Sequence, residues 1–114
     1  DSFSAMSKEI TVFFSDVRGF TNISEAMPSA SILIKFLNEY MDPMTDIIIK
    51  ENGTVDKFIG DAIMAYWNAP GDVPDHATRA VVATLEQLHY LDELNKKIEA
   101  DSRFEAVVEM SKQN

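Results

Sequence analysis

Val55-Asp56-Lys57-Phe58-Ile59-Gly60-Asp61-Ala62-Ile63-Met64-Ala65 is the stretch that decides how this chain folds. The runs 54–59 and 62–67 are short and rich in β-branched, aromatic and aliphatic residues, and only Gly60 and Asp61 lie between them. Short apolar runs bounded by turn residues predict strands. A two-residue connection makes them a tight hairpin. Glycine at its first central position suits a type II′ turn, which requires a positive φ there.

Upstream, Asn52-Gly53 predicts the end of a helix, with Gly53 taking the left-handed conformation. That helix starts near Pro28-Ser29 and carries Ile32, Leu33, Phe36, Leu37, Tyr40, Met41, Met44, Ile47 and Ile48 at helical spacing. Pro43 should kink it or mark its weakest turn. A short helix over Phe20 to Ala26 precedes it, with Thr21 as a candidate cap. Further back, Lys8 to Ser15 reads as a buried strand, ending in the Gly19 turn. Downstream, Asn68 to Pro74 is a loop. A long helix then runs from about Asp75, its candidate cap, to Ala100. Its expected apolar stripe is Ala77, Ala80, Val81, Thr84, Leu85, Leu88, Leu91, Leu94 and Ile98. Phe104 to Met110 alternates loosely, as a strand or a frayed end would. The order is strand, helix, strand, strand, helix and then a possible strand. It predicts an α+β fold with helices on one face of an antiparallel sheet.

A chain of 114 residues is one domain, and 46% hydrophobic residues can build a core. Its net charge of −9 argues against nucleic acid and against an anionic membrane surface. With no cysteine, disulfides and thiolate zinc sites are excluded. No apolar run spans a bilayer, so a cytoplasmic setting is expected. Residues 1–7 are an expected frayed lead-in. A first residue other than Met is expected of a piece of a larger protein.

Two aspartates stand where chemistry could be done. Asp16 lies where the first strand runs into a turn, and Asp61 lies at the hairpin tip. If the strands are neighbours, both carboxylates meet at one end of the sheet. There they would repel unless a cation lay between them, and oxygen donors suit Mg²⁺ or Mn²⁺. On pattern alone they are as readily turn aspartates. Gly19, Phe20 and Thr21 open a helix whose amides could hold a phosphate. Lys57 could reach a base or phosphate, or be a solvated strand residue. His76 and His89 read as surface or helix-end residues, and Trp67 as core or interface.

Phe14-Ser15-Asp16-Val17-Arg18-Gly19-Phe20-Thr21 resembles the first metal motif of class III adenylate and guanylate cyclases, and Val55 to Ala65 resembles their second. Asp75-His76-Ala77-Thr78-Arg79-Ala80-Val81 is similar to a helix start in bacterial members. The likeness runs from about Lys8 to Leu94. It implies a ferredoxin-like antiparallel sheet of class III nucleotidyl cyclase type, of which 1–114 is the first part. It also implies conversion of ATP to cyclic AMP and pyrophosphate. Asp16, Asp61 and the Val17 carbonyl would hold two Mg²⁺ or Mn²⁺ ions. Amides of Gly19, Phe20 and Thr21 would contact the triphosphate. Lys57 would donate to adenine N1, where guanine presents a donor of its own. The family shares its active sites between two chains, which implies a head-to-tail homodimer. Its later purine-selecting residue, Asn and Arg fall beyond Asn114, so the chain alone is expected to catalyse little. Two rivals are a diguanylate cyclase or polymerase palm, which lacks support from the single Gly60, and an inactive cyclase-like module for dimerisation or nucleotide sensing.

Overall fold

The computed structural model describes residues 7–112, so the expected lead-in lies outside them except for Ser7. Three strands form one antiparallel sheet in the order β1-β3-β2: β1 (Thr11–Ser15), β2 (Thr54–Ile59) and β3 (Ala62–Trp67). β1 and β2 therefore run parallel, with β3 between them. The helices are α1 (Phe20–Ala26), α2 (Ala30–Lys50), α3 (His76–Glu99) and α4 (Glu105–Ser111). The α+β expectation holds.

The hairpin is as its sequence predicts. Ile59 pairs with Ala62, Gly60 has φ 60°, and no positive φ occurs at Asp61. That combination is the type II′ geometry. A bulge falls between Val55 and Lys57, so that Lys57 rather than Asp56 faces Met64. Without it, Lys57 would stand opposite Ile63, which is fully buried. With it, Lys57 lies exposed on the open face of the sheet.

The covered face carries Phe13, Ile63, Ala65 and Trp67. α2 and α3 close over it with Met44, Ile48, Ala80, Ala83 and Leu94. Phe13 meets Trp67 edge to face at 6.1 Å. The Trp67 indole N–H donates to the Glu51 carbonyl at 2.9 Å, so a fully buried ring keeps its polar atom satisfied. A second cluster joins Met27, Phe36, Phe104 and Val107.

Several expectations are corrected. β1 begins at Thr11, not Lys8, because Thr11 meets Trp67, the last residue of β3; beyond it Asn68 takes φ 80° and its side chain donates to the Glu9 carbonyl. The N-cap of α1 is Gly19 in the left-handed region, and Thr21 lies inside the first turn. As expected, α2 does start at Ser29, its N-cap, whose hydroxyl accepts from the Ile32 amide, and it continues through Pro43 as one helix. At its far end Asn52, not Gly53, takes the positive φ (70°), while the Gly53 and Asn52 amides donate to the Ile48 and Ile49 carbonyls. Gly53 is needed for space. A Cβ there would lie 2.7 Å from Ile48 and Trp67.

Asp75 occupies the N-cap of α3 without a capping bond, because its carboxylate holds Arg79 at 3.0 Å instead. The α3 stripe holds in part: Ala80 and Leu94 are buried and Leu91 and Ile98 pack against the core, but Ala83 and Gln87 join them, whereas Ala77, Val81, Leu85 and Leu88 are exposed. Small residues win the inner position because the helix lies close to the sheet. Gln87 fits there by donating to the Met44 carbonyl at 3.1 Å. Residues 102–111 are a 3₁₀ turn and then α4, not a strand. Phe104 and Val107 sit three apart and share one buried side, which only a helical period allows.

Candidate functional site

The turn after β1 and the tip of the β2–β3 hairpin lie at the same end of the sheet, because Ser15 pairs with Ile63 and Ile59 with Ala62. Asp16 and Asp61 thus line one depression of about 330 Å³, together with Val17, Gly19, Phe20, Thr21 and Asn22. The two carboxylates are held differently. The Val17 amide donates to Asp61 Oδ2 at 2.8 Å. Among the described residues, Asp16 has no hydrogen-bond donor or ion-pair partner.

Gly19 turns the chain into α1 with φ 68°. The Phe20 amide donates to the Val17 carbonyl at 3.2 Å, which leaves that oxygen one lone pair to offer. Among the described residues the Gly19 and Thr21 amides have no backbone acceptor, which leaves both able to donate to an incoming anion. Lys57 does not join this group. It stands on the open face of β2, beside Met64, and is exposed.

Two residues behind the carboxylates were not singled out by sequence reasoning. Ser15 places its hydroxyl on the covered side of the sheet, and Tyr40 faces it from α2. Burial raises the Tyr40 phenol above its ordinary range. The Ser15 hydroxyl offsets part of that rise, and the charges of Asp16 and Asp61 add to it. Ser15 flanks Asp16 in the motif, which was the available signal. Tyr40 reads as one more apolar position of α2, since periodicity registers a ring and not its hydroxyl.

The start of α3 is structural. His76 Nδ1 lies 2.6 Å from the Thr11 hydroxyl, and Arg79 bridges Asp75 and the buried Glu51. These contacts fix α3 against β1 and the end of α2. His89 is exposed, as expected, and Trp67 is core. No helix among the described residues is long and apolar enough to cross a membrane.

The site is thus a two-carboxylate depression at the end of a split β-α-β sheet, rimmed by the turn and first residues of α1. The family model for the adenylate and guanylate cyclase catalytic domain matches residues 4–109. The chain belongs to that family, the class III nucleotidyl cyclases. Adenylate cyclase 1 of Rhizobium meliloti (strain 1021) is 37% identical over 87 residues, 74% of this chain and 13% of that protein. The adenylyl cyclase CyaB from P. aeruginosa superposes with a TM-score of 0.76 at 36% identity, over 82% of this chain and 48% of that one. The guanylyl cyclase Cya2 superposes at 0.74 and 39%, over 79% and 45%. The chain thus spans under half of these solved domains and a small part of the curated relative.

Proposed function

We propose that the domain to which this chain belongs converts ATP to 3′,5′-cyclic AMP and pyrophosphate, serving cyclic-nucleotide signalling. The observation that carries this is the meeting of Asp16 and Asp61 in one depression, with Asp61 fixed by the Val17 amide. The donor set suits Mg²⁺ or Mn²⁺. It is all oxygen, two carboxylates and the Val17 carbonyl. No third His, Cys, Asp or Glu joins it among the described residues. A magnesium-type ion held by one or two carboxylates takes its remaining ligands from water and substrate phosphate. Two such ions, when bound, would make the ribose 3′-hydroxyl more acidic and offset the charge of the polyphosphate.

The chain's own residues then have separate tasks. Asp16 and Asp61 hold charge at the sheet end, and the Val17 amide keeps Asp61 turned towards Asp16. The Gly19 and Thr21 amides donate to phosphate oxygens. The net reaction forms a bond from the 3′-oxygen to the α-phosphorus and breaks the bond to the pyrophosphate oxygen. Lys57, an ammonium that only donates, suits adenine N1 and so favours ATP over GTP. It lies outside the lining of the Asp16–Asp61 depression. That supports a head-to-tail homodimer in which one copy supplies the aspartates and the other supplies Lys57. The apolar open face of the sheet is a fitting surface for such a pairing.

The test is cyclic nucleotide formation from ATP and from GTP with Mn²⁺, on this chain and on one extended past Asn114. We expect cyclic AMP from the extended protein, its loss in Asp16→Ala, and little from the shorter chain. A folded extended protein that makes neither cyclic nucleotide overturns the catalytic reading and leaves an inactive cyclase-like module.

A further inference from the structure

The residues that line the depression include two carboxylates and no cationic side chain. As a nucleotide site it has to admit a polyphosphate, in a chain whose net charge is −9. A fixed positive charge at its mouth would draw such an anion in and help to hold it.

Most of the chain's cations are already engaged. Lys8, Lys50, Arg79, Lys96, Arg103 and Lys112 form ion pairs. Lys97 lies over the Tyr90 ring and donates to its hydroxyl. Among the described residues Arg18, Lys35 and Lys57 have no such partner. Lys35 belongs to α2, and Lys57 stands on the open face of the sheet.

Arg18 is the one at the depression. Its chain neighbours Val17 and Gly19 both line it. The turn they form is pinned from two sides. The Val17 amide donates to Asp61 Oδ2 at 2.8 Å, and the Phe20 amide donates to the Val17 carbonyl at 3.2 Å. The backbone of Arg18 is thereby fixed, while its side chain is exposed. Asp16 is two residues away, yet the guanidinium pairs with neither site carboxylate. Both carboxylates are left to a cation and the guanidinium is left to an anion. Its planar fork of N–H donors matches a phosphate group better than an ammonium does.

We propose that Arg18 is a substrate-binding residue, which clasps the terminal phosphate of a nucleoside triphosphate at the mouth of the Asp16–Asp61 depression. This rests on the reading of that depression as a triphosphate site. The contact falls on the part that leaves as pyrophosphate, remote from the bond that breaks. It holds substrate and transition state alike, so it acts on KM rather than kcat. An exposed charge pair of this kind is weakened by salt.

The experiment is steady-state cyclic nucleotide formation by the protein extended past Asn114, at low and at high salt. It compares wild type with Arg18→Gln and Arg18→Lys, and records inhibition by inorganic pyrophosphate and thermal unfolding of each. We expect Arg18→Gln to raise KM about tenfold, with kcat and the melting temperature little changed. The inhibition constant of pyrophosphate should rise by a similar factor, and the difference in KM should shrink at high salt. Arg18→Lys keeps the charge without the fork and should fall between the two. It carries the test if Arg18→Gln does not fold. A lowered melting temperature with KM unaltered would mark a merely structural role and overturn the proposal. So would wild-type KM and pyrophosphate inhibition in both variants, while the catalytic reading stands. A folded wild type that makes no cyclic nucleotide overturns the catalytic reading and this inference with it.

Discussion

The two faces of the sheet have similar composition and opposite surroundings. On one, Phe13, Ile63, Ala65 and Trp67 lie under α2 and α3. On the other, Val12 and Phe14 of β1 are 50% and 64% exposed, alongside Met64 and Lys57. A strand that alternates apolar and polar residues announces which side is buried. β1 and β3 are apolar on both sides, so their pattern announces only that both sides are meant to be covered. The helices cover one. The other is an apolar surface with a single cation set into it, next to the end of the sheet where Asp16 and Asp61 meet.

The largest effect that can break this contrast lies on the covered face. Trp67→Ala should cost about 3–5 kcal/mol, read from urea unfolding, since a fully buried ring and its bond to Glu51 are lost together. Gly53→Ala acts on the same ring from outside, and the crowding should cost about 1–3 kcal/mol in the same assay. At the end of the sheet the two aspartates should part company. Asp61→Ala should lose about 1 kcal/mol of stability, because the Val17 amide is stranded. Asp16→Ala should lose none, although both abolish activity in the extended protein. On the open face, Phe14→Ser should alter stability by less than about 0.5 kcal/mol. It should nonetheless reduce self-association of the extended protein in sedimentation. Equal stability losses at Phe14 and Trp67 would remove the contrast.

The smallest effect lies away from both faces. Arg103 holds the Asp101 carboxyl at about 2, below its ordinary 3.8. A depressed folded-state value contributes stability above pH 3.8 and loses it as pH falls towards 2. Asp101→Asn should therefore lower the melting temperature slightly at neutral pH, and the difference should vanish in acid.

Much of this was legible in the residues. The hairpin was readable because Gly60 and Asp61 leave room for one turn geometry, and the site aspartates because two long motifs stand in order. The inner side of α3 was readable only in part: Ala80 and Leu94 were in the expected stripe, but Val81, Leu85 and Leu88 satisfy the helical period as well as Ala83 and Gln87 do, and bulk favours the wrong set. Only the close approach of helix to sheet selects the small residues. α4 was missed because seven residues are too few to separate a period of two from one near four. Tyr40 and Ser15 were hidden because a hydroxyl's role depends on what faces it across the fold.

The bulge between Val55 and Lys57 has one more consequence. Side-chain direction along a strand is a matter of odd and even, and the extra residue changes the parity of everything between it and the turn. Were the ladder regular from Val55 onward with Asp56 paired, Lys57 would share the side of Val55 and stand opposite the buried Ile63; the extra residue puts it beside Met64 on the open face instead. The count of residues there, as much as their identity, determines which way the chain's one exposed β2 cation points.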